Sequence, residues 1–133
     1  MGYTIFWDQL QFSEFTYENV CMVVPRVVSV KFCREPWGFT VGDSVDNCVG
    51  IEKSPTTLTF VKTNRDPYSI DVKKTLIDMV EFGAAWHLGH DDDSMALYLK
   101  ALGEVHAIHP LVSYEQQKAY FLEQEKRHRV ADT

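Results

Sequence analysis

No run of apolar residues in the chain approaches the ~18 needed for a helix to span a bilayer, so no membrane span is expected. Cysteine is scarce. There are three, Cys21, Cys33 and Cys48, and an odd number reads as reduced thiols rather than a disulfide framework. The opening MGYTIFWDQL lacks the basic n-region, apolar h-region and cleavage site of a secretory leader. A myristoylation motif is excluded because Phe6 stands where Ser or Thr is required. These absences predict an intracellular, non-secreted protein. Positive charge is in the minority, 13 Lys and Arg against 19 Asp and Glu, for a net charge of -6. That balance disfavours a nucleic-acid coat, which needs clustered cations to neutralise phosphates. No glycine-rich phosphate loop, internal repeat, low-complexity tract or dividing linker is present.

What is present suits one packed domain. The 133 residues are 45% hydrophobic and 13% aromatic, enough to bury a core without a metal or disulfide staple. A single α+β domain over residues 1–129 is expected, with 130–133 as a frayed tail.

Gly2–Trp7 is aromatic and β-branched and predicts a strand. Ser13 is the candidate N-cap of a helix whose stripe is Val20, Val23, Val24 and Val27. Pro25 should kink or split that helix. Residues 34–38 read as a loop. Phe39–Val41, Cys48–Ile51 and Leu58–Val61 read as a strand meander, with turns at Gly42-Asp43, Asp46-Asn47 and Lys53–Thr56. Asp66-Pro67 predicts a helix start, and Val72, Leu76, Met79, Val80 and Gly83 give its apolar face. Ala85–Leu88 predicts a short strand. Asp93 or Ser94 should cap a third helix, with Leu97, Ala101, Leu102 and Val105 inward, ending at His109-Pro110. Ser113 and Gln116 have capping-box spacing ahead of a charged final helix from Tyr114 to about His128. The expected order is β-α-β-β-β-α-β-α-α, with a mixed or antiparallel sheet and helices mainly on one face.

Two stretches, Gly2-Tyr3-Thr4-Ile5-Phe6-Trp7 and Phe60 to Tyr68, resemble a set of small uncharacterised proteins of bacteria, phages and large DNA viruses. Those proteins begin Gly-Tyr-Thr-His-Tyr-Trp and carry a central Phe-x-Lys-Thr-x-x-x-Pro-Tyr-Asp ahead of an amphipathic helix. The resemblance implies a fold rather than an activity. Ile5 replaces the family's His, and Ser69 replaces its Asp, so a site built on that pair would be missing here.

The stretch FVKTNRDPYSID offers the first candidate site. Lys62, Thr63, Arg65 and Tyr68 lie at a helix start, where free N–H groups and the helix dipole favour an anion or an acidic partner. Asp66 would compete for the same N–H groups, and the alternative is a capped structural corner with Lys62 snorkelling. The second candidate is metal binding by His87, His90, Asp91, His106 and His109, two H-x-x-H pairs with an acidic run. Against it, residues three apart on a strand point to opposite faces, and an acidic run before a helix complements its dipole. The cysteines have no catalytic context around them. Tyr3, Phe6, Trp7, Trp37, Tyr68 and Trp86 could stack bases but suit a core equally. The final helix, Tyr114–His128, is either packed on its own domain or a docking surface.

Together these readings predict a small non-enzymatic accessory or interaction module of a microbe or its virus, acting through a protein partner or self-association and needing no cofactor. The alternative is a binder or hydrolase of a phosphate-bearing small molecule. Lys62 and Arg65 would then clamp the anion, and His90 with Asp92 would act as base or metal ligand.

Overall fold

The structure, a computed structural model, describes residues 4–44, 46–54, 59–62, 68–90 and 95–131. Its elements are β1 (Thr4–Gln9), α1 (Glu14–Val27), β2 (Lys31–Glu35), β3 (Gly38–Ser44), β4 (Asn47–Glu52), β5 (Thr59–Lys62), α2 (Ser69–Glu81), β6 (Ala85–His90), α3 (Ala96–Ile108) and α4 (Tyr114–Ala131). The α+β class and the succession of strands and helices are as expected, with β2 as an additional strand. The expected helix starts at Asp66-Pro67 and at Asp93 or Ser94 lie outside the described residues.

The strands form two antiparallel sheets of three rather than one. The first has the order β5-β1-β6, the second β2-β3-β4. β5 leaves the meander and pairs instead with β1, Thr4 opposite Lys62 and Trp7 opposite Thr59. β2 escaped the sequence reading because Phe32 is its one large apolar residue and Pro36-Trp37-Gly38 looks like open loop. In fact Pro36 and Trp37 make the two-residue turn between β2 and β3, and Arg34 and Glu35 still pair with Phe39 and Gly38.

Alternation then places the core. Ile5 and Trp7 of β1, Phe39 and Val41 of β3, and Val49 and Ile51 of β4 are buried, as expected for sheets with one covered face. Ser13 caps α1, its Oγ accepting from the Thr16 N–H at 3.1 Å. Val20, Val24 and Val27 turn inward. Pro25 lies in the last turn of α1 and does not split it.

α2 is the central element. It packs against α1 and α3 and touches both sheets through β3 and β6. Val72, Leu76 and Met79 are buried as predicted, but so are Asp71, Lys73, Lys74, Thr75 and Asp78. Burying charge is costly unless each group finds a partner. The Asp71 Oδ1 accepts from the Ser29 N–H at 2.7 Å. Lys74 Nζ donates to the Val27 carbonyl at 3.1 Å, which lies at the end of α1. On α3, Tyr98, Ala101, Leu102 and Val105 are buried, with Leu97 only half-buried. α4 runs on to Ala131, past the expected end near His128. Its Phe121 is buried and stacks on Tyr98, with centroids 4.9 Å apart. The Glu125 carboxylate accepts from the Met95 N–H at 2.7 Å, so α4 helps to cap the start of α3.

Candidate functional site

The sheet topology brings two stretches that are far apart in sequence to one place. β1 runs antiparallel to both of its neighbours, so β5 and β6, the two outer strands, finish at the same end of the sheet. There Lys62 lies opposite Thr4, and His90 lies opposite Ile5; Thr4 and Ile5 are consecutive on β1, so positions 62 and 90 belong to opposite faces of the sheet. Tyr68, just before α2, is buried. Thr63, Arg65, Asp91 and Asp92 lie outside the described residues. Sequence reading missed the residue that meets His90 there. Lys73, one turn into α2, is fully buried, with its Nζ 3.2 Å from His90 Nδ1. It also sits 4.8 Å from the centroid of the Tyr98 ring, while the Tyr98 hydroxyl donates to the Gly89 carbonyl at 3.0 Å. An ammonium only donates, so a charged Lys73 fixes His90 Nδ1 as the acceptor.

The four candidate metal-binding histidines are not gathered together. Among the described residues, no three His, Cys, Asp or Glu side chains form a metal-ligand group. His87 Nδ1 is 2.7 Å from Asp8 Oδ2 and largely exposed. His90 faces Lys73. His106 stacks on Tyr114 at 4.0 Å and accepts from the Leu111 N–H at 2.9 Å. His109 Nε2 lies 2.9 Å from Asp78 Oδ1, but without the alignment of a hydrogen bond.

Around Asp78 the electrostatics are perturbed. Burial, helped by the nearby Glu81 charge, pushes the Asp78 carboxyl up to about 7. Burial also lowers His109, partly opposed by the Glu81 charge. For Glu81, burial acts upward but is outweighed. Its carboxylate accepts from the Ser113 hydroxyl and from the Ser113 and Val112 N–H groups, at 2.7, 2.9 and 2.9 Å, and its pKa falls below the usual value. Glu81 therefore holds the start of α4. The Ser113 hydroxyl points to Glu81 and Gln117, which is why Ser113 and Gln116 do not act as the expected capping box.

Two surface depressions lie among the described residues. One, of about 250 Å³, lies on the outer face of the second sheet between Lys31, Cys33, Glu35, Thr40, Gly42, Ser44 and Cys48. Among the described residues, no histidine lines it. The other is an apolar groove of about 190 Å³ between β6 and α4, lined by Val80, Trp86, His87, Leu88, Gln116, Gln117, Tyr120 and Phe121. Tyr120 ties its walls together, its hydroxyl donating to the Leu88 carbonyl at 3.0 Å.

The rim of this groove is built by a strand irregularity. The β1–β6 register shifts between Phe6 and Asp8, so two residues of β6, His87 and Leu88, face one of β1. His87 takes up the extra length with φ of 53°, left-handed backbone that a non-glycine residue adopts at a cost of about 1 kcal/mol or more. Its ring contacts Asp8 on the neighbouring strand. Because of the bulge the neighbours Trp86 and His87 are both exposed, where strict alternation would turn one of them inward. Nothing in the sequence AWHLGH marks a bulge, since no glycine or asparagine stands at position 87.

No family model, no curated protein and no solved structure matches the chain.

Proposed function

We propose that the protein is a non-enzymatic binding module that docks a protein partner in the groove between β6 and α4. The observation that carries this reading is the bulge at His87. It stores backbone strain at the mouth of an open apolar groove and leaves Trp86, a large aromatic, 38% exposed at the rim. Strain retained at a surface position is a reason to look for function there. The final helix forms a wall of the surface, in keeping with a docking role for Tyr114–His128. The motifs at residues 2–7 and 60–68 support an accessory protein of a microbe or its virus, acting inside the cell.

The test is selection of a random peptide library on the full chain, with Trp86→Ala as counter-target. Peptides that bind the wild type and lose at least tenfold in affinity on Trp86→Ala are expected. Peptides indifferent to Trp86→Ala, or no enrichment, would count against the groove. Light scattering on the same sample tests the second copy as occupant.

The Lys73–His90 pair at the end of the first sheet favours a second reading, a site for a phosphate-bearing small molecule there. A ligand at 100 times its Kd raises stability by about 2.7 kcal/mol. A thermal shift with nucleotides or sugar phosphates that disappears in His90→Ala would support it, and no shift would leave Lys73–His90–Tyr98 a structural cluster.

A further inference from the structure

We infer that the outer edge of β2 pairs with the same edge of a second copy of the chain, antiparallel and about a two-fold axis at Cys33, joining the two β2-β3-β4 sheets into one. The groove between β6 and α4 takes no part in this pairing.

The backbone sets the register. The Lys53 N–H donates to the Trp37 carbonyl at 2.9 Å, and Gly38 lies opposite Glu52. Bonded and non-bonded pairs alternate in an antiparallel ladder, so Trp37, Phe39 and Val41 bond toward β4 while Gly38, Thr40 and Gly42 bond toward β2. Opposite those three on β2 stand Glu35, Cys33 and Lys31. The N–H and C=O groups of Phe32 and Arg34 therefore point away from β3. β2 is an outer strand, and among the described residues no backbone group from outside the sheet bonds to Phe32 or Arg34. Such an open row invites another strand.

The side chains choose the occupant. Charge usually protects an edge strand, and KFCRE carries Lys31, Arg34 and Glu35. Against a second copy those charges become complementary. With Phe32 opposite Arg34 of the second copy, and Arg34 opposite its Phe32, all the outward backbone groups of β2 are paired. Lys31 then faces Glu35 of the second copy at each end. Lys31, Cys33 and Glu35 share the outer face of the sheet, and among the described residues neither Lys31 nor Glu35 is in an ion pair. A shift of two residues one way sets Arg34 against Arg34 and Phe32 against Pro36, which has no N–H. The opposite shift pairs Phe32 with itself and carries Arg34 past the end of the strand. An unrelated strand would need this order of charges, which the chain's own edge already has. Cys33 lies on the axis and is exposed. In a non-hydrogen-bonded pair the two Cα atoms stand about 4.5 Å apart, inside the span of about 4.4–6.8 Å that a disulfide bridges. A single short strand from each copy is much less than the roughly 20–30 residues a side of a stable complex, so the pairing is weak and is best read by trapping it.

The experiment uses the full chain with Cys21→Ser and Cys48→Ser, leaving Cys33 to react with diamide. Two Cys33 thiols give up their protons and two electrons as the S–S bond forms, and the N=N group of diamide takes them up to become a hydrazine. A disulfide-linked dimer is expected. Lys31→Glu and Glu35→Lys each set like charges at both ends of the pairing and should slow crosslinking about tenfold. Mixing the two variants, one of them ¹⁵N-labelled, restores unlike charges at both ends, so the mixed dimer, identified by mass, should form at the parental rate. If the charge variants do not fold, dilution of the labelled wild type decides, with the Phe32 and Arg34 amides expected to shift. No crosslinking, crosslinking indifferent to both charge variants, or dilution shifts at Trp86 and Tyr120 instead of at β2 would overturn the inference. A dimer lost in Trp86→Ala but kept in Lys31→Glu would do the same and place self-association in the groove.

Discussion

Replacing Asp78 by asparagine removes one proton equilibrium from the centre of the fold. In the unfolded chain Asp78 titrates near 3.8, and in the native protein near 7. Between those values the unfolded state has already released the proton while the native state still holds it. Stability therefore falls as pH rises through this window, being fully present below 3.8 and lost once pH passes about 7. At about 1.4 kcal/mol per pKa unit, the rise from 3.8 to about 7 corresponds to about 4 kcal/mol. The side chain is fully buried, so solvent does not screen it. Burial holds His109 below its ordinary 6.5, so its countercharge fades toward the alkaline end of the window. Urea unfolding followed by tryptophan fluorescence, at a series of pH values from about 4 to about 8, measures the effect. The wild type should lose several kcal/mol across that range relative to Asp78→Asn, and the variant should be the more stable protein at the alkaline end. Other carboxylates titrate in both proteins and cancel in the difference. A wild-type-minus-variant difference that is constant with pH would refute the reasoning, because Asp78 would then hold the same proton in both states.

Two further substitutions test how the elements are fastened. Ser13→Ala removes the oxygen that accepts from Thr16 at the start of α1 and should cost about 1 kcal/mol, read as a fall in Tm of about 3–5 °C. Glu81→Gln keeps the size of the side chain but weakens the bonds to Val112 and Ser113. The expected loss is about 1–3 kcal/mol, with faster hydrogen exchange at the Val112 and Ser113 amides, while exchange in the middle of β3 stays as it was.

The readable parts of the sequence were those with one covered face. The valine stripe of α1 and the alternation in β3 and β4 each mark a single buried side, and local pattern reports that well. α2 shows where pattern runs out. Its apolar face at Val72, Leu76 and Met79 was legible, but a helix enclosed by α1, α3 and both sheets has no solvated side for its charges. Asp71, Lys74 and Asp78 form a second stripe at helical spacing, the one local sign that a polar face is buried with its partners. Which partners those are depends on Ser29, Val27 and His109, which only tertiary structure supplies.

The candidate sites divide in the same way. Lys62 and His90 were each visible as local motifs, but their arrival at the same end of one sheet depends on β5 crossing to pair with β1. Spacing within β5 cannot reveal that. The groove was less legible still. Its wall on α4 was anticipated as a charged helix with some apolar residues, but Phe121 turns inward while Leu122 is exposed. Its rim depends on a bulge at His87, where no glycine or asparagine announces it.

The central claim is that partners bind between β6 and α4, and the most direct measurement is to map where a selected peptide sits. Backbone amide shifts of the full chain, recorded with and without the tightest peptide, should be largest at Trp86, Leu88, Gln117 and Tyr120 and should vanish in Trp86→Ala. If the largest shifts fall instead around Lys73, His90 and Tyr98, the groove is not the binding surface and the sheet end takes its place.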